Sequence, residues 1–207
     1  MGWTPFLKGL ILGFSIAAPV GPIAILCVQR TLARGRWAGF VSGLGAATAD
    51  ALYGLVAVLG VGFLTEALLG RQAWMRLLGG LFLVALGARL FFQAPPDQTG
   101  TREPDKSAGY LVMYSTTFLL TLSNPMTVIA FSAVFTGLGA VGGSVPVLIG
   151  GVFSGSALWW AVLAVGAGYL RRLISPAAMG LINRLAGTAI VGFGIVVTGA
   201  GIMALLN

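Results

Sequence analysis

Asp50 is the one ionisable side chain set deep within an apolar stretch of this sequence, at position 14 of the 28 residues 37–64. A carboxylate held at the middle of a membrane costs roughly 2.5–3.5 kcal/mol even on the lenient insertion scale. No structural need for it is evident, and three roles are open. It can bind a substrate ammonium, carry a coupling proton, or stand as a protonated structural acid bonded to Thr48 or to a free carbonyl. Gly39, Gly43, Ala46, Asp50, Gly54 and Ala57 recur at spacings of three or four. That small-residue face lets a second helix approach closely and carries Asp50 inward. Tyr53 lies on nearly the same face and offers a hydroxyl.

Proline interrupts two other apolar runs, as Pro19-Val20-Gly21-Pro22 and as Asn124-Pro125. Proline has no N–H, so Pro19 frees the carbonyl of Ser15, Pro22 that of Ala18 and Pro125 that of Thr121. A free carbonyl in hydrocarbon costs several kcal/mol and persists only where protein or a wet cavity supplies partners. Thr121, Ser123, Asn124 and Thr127 offer such groups near the second break. The residue after each break starts a half-helix whose free N–H groups favour an anion such as a substrate carboxylate. A simple kink is the plainer reading of one proline; two breaks at matched positions point to a site. The expected substrate-binding set is Ser15, Pro19, Gly21, Pro22, Asp50, Tyr53, Thr121, Asn124 and Pro125, with Asp50 also the proton carrier. Trp159-Trp160 reads as packing or lipid-facing, and Gly150, Ser154, Ala157, Ala161, Ala164 and Gly168 read as another small face for helix packing. Cys27 reads as inert.

Composition says what must position these groups. The chain has 207 residues, 57% of them hydrophobic and 8% charged, where a soluble domain carries roughly 25% charged. Six runs are long enough for a spanning helix, which needs about 20 apolar residues: 6–28, 37–64, 73–92, 110–138, 145–170 and 185–206. The first contains a superficial signal-peptide pattern after Lys8, but its apolar run continues through Pro19, so it reads as a span. Arg76 and Arg89 fall near the ends of the third, where long side chains reach the interface. The polar stretch 93–109 divides the chain into 1–92 and 110–207, three spans each.

The halves resemble each other. Pro22 and Pro125 are 103 residues apart, and Arg76-Leu77-Leu78-Gly79 and Arg184-Leu185-Ala186-Gly187 are 108 apart. A duplicated unit with three crossings must enter from opposite sides, which makes an inverted repeat of the secondary-transporter kind. The expected fold is an all-α integral membrane protein, one domain over 1–207, with six transmembrane helices as two inverted three-helix repeats. Helices one and four are broken by proline. Arg30, Arg34, Arg36, Arg89, Arg102, Lys106, Arg171, Arg172 and Arg184 fall on one side; Lys8, Arg71 and Arg76 fall on the other. The positive-inside rule then puts the linker 93–109 in the cytoplasm and both termini outside.

The same charges argue against nucleic acid, since they encode topology and form no basic patch. With no histidine and one cysteine, a zinc finger, a Cys-His pair and a thiol–disulfide carrier have no residues to use. An intramembrane hydrolase lacks a base for its nucleophile. No nucleotide loop occurs. No enzyme activity and no cofactor are expected. The partners expected are a small solute and the bilayer, with a homodimer permitted by the small-residue faces.

The run Gly13-Phe14-Ser15-Ile16-Ala17-Ala18-Pro19-Val20-Gly21-Pro22 resembles the P-x-G-P region of the LysE/RhtB-type (lysine exporter) translocators. So does Gln29-Arg30-Thr31-Leu32-Ala33-Arg34-Gly35. Gly43 to Asp50 is similar to the family's second-span acid, and Leu122-Ser123-Asn124-Pro125-Met126 to its second-half break. The likeness covers nearly the whole chain. It implies export of amino acids or related small metabolites across the bacterial inner membrane, driven by the proton motive force, with Pro19, Gly21, Pro22, Asp50, Asn124 and Pro125 as functional positions. One position departs: many amino-acid-exporting members have Asn or Gln after the G-P, and here Ile23 follows Pro22. A divalent-metal or cation exporter of a related branch is the alternative, weakened by the missing histidines and second buried acid.

Overall fold

A computed structural model describes residues 3–19, 21–58, 72–92, 106–124, 127, 131 and 144–206. Among these the regular structure is helical, without strands. The order is α1 (Trp3–Ala17), α2 (Pro22–Arg34), α3 (Arg36–Val58), α4 (Gln72–Phe91), α5 (Lys106–Leu122), α6 (Val145–Leu170), a 3-10 turn (Arg171–Leu173) and α7 (Pro176–Leu206). Arg36–Val58, Ala73–Phe91, Val145–Leu170 and Ala178–Leu206 are each long and apolar enough to cross a membrane. Together α1 and α2 are also long and apolar enough, as a pair bent by 85° that is either a broken span or a re-entrant loop.

The differences from expectation have local causes. The first run, expected over 6–28 with a proline break, is two helices that part at that break, because Pro19 and Pro22 remove consecutive turns of hydrogen bonds. Its second half continues to Arg34 and ends at Gly35, whose φ of 97° suits glycine alone among common residues. The sixth span, expected over 185–206, begins at Pro176. Proline suits a first helical turn, and Ser175 Oγ caps it by accepting the Ala178 N–H at 3.2 Å. Arg184 therefore lies on the helix, exposed. Lys106 to Gly109, expected as linker, already form the start of α5, while 93–105 lie outside the described residues. The fourth span, expected over 110–138, is helical as far as Leu122, just before Asn124; Pro125 and 132–143 lie outside the described residues.

Half of the apolar stretch of α3 and 39% of that of α6 are buried, against 28% for α4 and 17% for α7. Thus α3 and α6 form the centre, and α4 and α7 present apolar flanks such as Leu78, Leu81, Leu185 and Val196. Glycines set the approach of each pair. A Cβ on Gly9 would lie 2.9 Å from Val152 N, and one on Gly151 2.9 Å from Leu10 N, so α1 and α6 run side by side in parallel. Against α1 this face is one residue on from the start of the expected stripe, since Gly150 has nothing within 4 Å, while Ala164 and Gly168 of that stripe are buried. Beside them α3 lies parallel to α5, where Thr117 Oγ1 donates to the Ser42 carbonyl at 2.5 Å and a Cβ on Gly45 would lie 2.7 Å from Thr117 Oγ1. On the flank, Gly80 and Gly87 of α4 meet Gly194 and Gly187 of α7 in antiparallel order. A buried Gln29 Nε2 to Asn183 Oδ1 hydrogen bond of 3.0 Å ties α2 to α7.

Candidate functional site

Helix α3 crosses α6 in antiparallel fashion, with Gly43 against Trp160 and Gly54 against Ile149 and Val152. Asp50 stands at that crossing, 4% exposed. Its Oδ2 accepts a 2.7 Å hydrogen bond from Ser156 Oγ of α6. Thr48, the partner considered from sequence, is occupied elsewhere: it donates to the Leu44 carbonyl and accepts from Tyr114 Oη, at 2.9 and 2.8 Å.

Asp50 lines a cavity of about 70 Å³ that collects both breaks. Pro19, Gly21 and Pro22 come from the first break, with Ile23 and Ala24 from the opening turn of α2. Thr121, Asn124 and Thr127 come from the second break, and Trp160 from α6. Gly21 is the N-cap of α2 in extended backbone, with no side chain capping the helix, and the first helical bond runs from Ile25 N–H to the Gly21 carbonyl at 3.1 Å. The Ile23 and Ala24 N–H groups therefore precede the helical ladder, which gives the cavity wall the positive end of a helix. Facing it is one carboxylate, so the cavity offers complementary surroundings for a carboxylate and for an ammonium. A volume of about 70 Å³ holds two or so waters at roughly 30 Å³ each. It is well below the roughly 300–1,000 Å³ usual for a ligand pocket.

Of the expected site residues, Pro19, Gly21, Pro22, Asp50, Thr121 and Asn124 meet in this cavity. Ser15 does not; it is exposed on α1. Tyr53 does not line it either. Its hydroxyl donates to the carbonyl of Leu122, the last residue of α5, and its ring stacks on Phe131 at 6.1 Å. Pro125 lies outside the described residues. The Thr121 carbonyl, expected to be freed by Pro125, accepts the Asn124 N–H at 3.1 Å, because the chain tightens as the helix ends. Ser156 escaped the sequence reading, and Trp160, read there as packing or lipid-facing, lines the cavity. Ser156 and Trp160 sit four apart on one face of α6 and were submerged in its glycines and alanines; Trp160 Nε1 is buried without a partner among the described residues. Ser156→Ala removes the hydroxyl that orients Asp50. A hydrogen bond to a charged group is worth about 1.5–3 kcal/mol, so transport per unit of folded protein should fall roughly tenfold, as read by initial rates in proteoliposomes.

The LysE type translocator model matches residues 14–201. The chain belongs to the LysE type translocator family. As a LysE type translocator it is a multi-pass membrane transporter. A Bacillus subtilis (strain 168) relative named "Putative amino acid efflux protein YcgF" is 26% identical over 209 residues, covering 98% of this chain and 99% of its own length. The Escherichia coli (strain K12) "Uncharacterized membrane protein YahN" is 30% identical over 116 residues, covering 56% of this chain and 52% of its own. No solved structure matches this LysE type translocator.

Proposed function

We propose that this chain exports amino acids or related small zwitterionic metabolites from the bacterial cytoplasm, exchanging them for protons by alternating access. The observation that carries the reading is the buried carboxylate of Asp50 in one cavity with the start of α2. In the loaded state the substrate carboxylate meets the Ile23 and Ala24 N–H groups and the ammonium meets Asp50. With the substrate gone, a proton takes the ammonium's place, so the site never holds a bare charge in a dry interior. Ile23, set where many relatives carry an amide, gives the cavity an apolar wall and favours an apolar substrate side chain.

Two inverted three-helix halves supply the motion in this reading. The parallel pairing of α1 with α6 corresponds to that of α5 with α3 once the halves are exchanged. Gly80 meets Gly194 and Gly87 meets Gly187; Gly80 and Gly187, like Gly87 and Gly194, are 107 residues apart, one fewer than the offset of the Arg76 and Arg184 motifs. Asp50 and Ser156 lie at the crossing between the halves, where rocking would open the cavity to one side and then the other. Arg34, Arg36 and Arg171 share one end of the bundle. By the positive-inside rule that end is cytoplasmic, as is the linker 93–109, and the termini are outside.

The test is counterflow from proteoliposomes across a panel of labelled amino acids at two internal pH values. Accumulation of at least one amino acid, strongest for apolar side chains and sensitive to pH, is expected. A flat result for every amino acid would sink the reading.

A further inference from the structure

The other end of α2 opens on a second and larger cavity, of about 670 Å³, between α2, α4 and α5. Three guanidiniums line it, from Arg30 and Arg34 of α2 and Arg89 of α4. Arg30 is 9% exposed, which for a cation demands compensation. Its Nη1 is spent on Ser42 Oγ at 3.0 Å and on the Met113 carbonyl at 2.9 Å. Both of its bonds to described residues leave from Nη1, and the residue lines the cavity. Asp50 is the one acid among the described residues, and it belongs to the cavity at the other end of α2. Three positive groups thus line one space, with no acid among the described residues beside them; Asp97, Glu103 and Asp105 lie outside the described residues. The planar fork of Arg suits a carboxylate. Leu26, Leu86 and Val112 cover much of the remaining wall, so the ligand that fits is a carboxylate on an apolar body.

We propose that this cavity is a loading site, which takes the carboxylate of the exported amino acid before the molecule reaches Asp50. The proposal rests on the export reading above. Arg30 is eight residues beyond Pro22, about 12 Å along the helix at 1.5 Å per residue. A small amino acid spans less than that, so it occupies the two sites in turn. The arginines gather the anion from the basic end, and the opening of the bundle passes it along α2.

The test uses 4-methylpentanoate, a branched carboxylate without an ammonium group, titrated calorimetrically against the full chain in phosphatidylcholine nanodiscs. Wild type should bind it, and Asp50→Asn should bind it equally well, whatever becomes of transport. The double variant Arg34→Gln/Arg89→Gln should weaken binding at least tenfold. Both side chains are exposed and the fold does not rest on them. Arg184→Gln, which removes one charge outside the cavity, should leave binding unchanged, and 3-methylbutylamine should not compete. Absence of binding to wild type, or binding indifferent to the double variant, overturns the loading site. If phosphatidylglycerol alone associates through these arginines, the occupant is a lipid headgroup and the proposal fails. Because Asp50→Asn keeps this site, failure here and failure of proton-coupled export are read separately.

Discussion

Asp50→Asn is expected to lower pH-gradient-driven export by about 100-fold or more, equivalent to about 2.7 kcal/mol in the transport barrier, with folded protein recovered in normal yield. The amide has the shape of the carboxylate and its oxygen can still accept the Ser156 Oγ–H, now 2.7 Å from Oδ2. It adds no charge to a position that is 4% exposed, so the fold loses nothing. What disappears is the ability to take up and release a proton and to pair with an ammonium. Ser156→Ala perturbs the same carboxylate without removing it, and its smaller loss sets the scale. Initial rates in proteoliposomes with and without an imposed pH gradient, normalised to folded protein, measure both. An Asn variant that exchanges at the wild-type rate with full pH dependence would make Asp50 a structural acid.

The second large effect concerns the flank. Gly187→Val should destabilise the protein by about 3 kcal/mol, the upper part of the usual range for overpacking, and lower the melting temperature by roughly 6–12 °C for a chain of this length. A Cβ at Gly187 would lie 2.7 Å from the Gly87 carbonyl oxygen and 2.7 Å from Phe91 N. These are backbone atoms and cannot turn aside as a side chain would. Relief requires α4 and α7 to separate, which sacrifices the mirrored contact at Gly80 and Gly194 as well. Gly192→Val is the matched control: it lies on the same helix with nothing within 4 Å of its Cβ position, and its melting temperature should hardly move. Equal losses for the two variants would mean that valine harms the helix itself, with no close approach at Gly187.

The parts of the site that were legible in the sequence are those that violate a strong rule. A carboxylate in an apolar run and prolines inside spans are costly, so Asp50, Pro19, Pro22 and Asn124 stood out, and they do share one cavity. Ser156 and Trp160 violate nothing. A serine in a membrane helix bonds its own backbone cheaply, and a tryptophan packs anywhere, so neither carried a signal until α6 was placed against α3. Tyr53 shows the reverse: it lies on the expected buried face, yet a helix end one element away takes its hydroxyl. The all-helical, apolar character followed from hydropathy, and four of the six expected runs hold a helix long and apolar enough to cross a membrane among the described residues; helix ends followed from capping. Ser175-Pro176 moved the start of α7 well ahead of its apolar run, and Gly35 set the stop of α2. That last shift matters for function, because it keeps Arg30 and Arg34 on the helix that also frames the Asp50 cavity.

The central claim is that solute leaves in exchange for protons through Asp50. It is tested most directly by a pH-sensitive dye inside proteoliposomes loaded with the amino acid that shows the strongest counterflow and diluted into amino-acid-free buffer. The account predicts that outflow of the amino acid acidifies the lumen in wild type, and that no acidification accompanies dilution of the Asp50→Asn vesicles. Outflow from wild-type vesicles with no change of internal pH would contradict it.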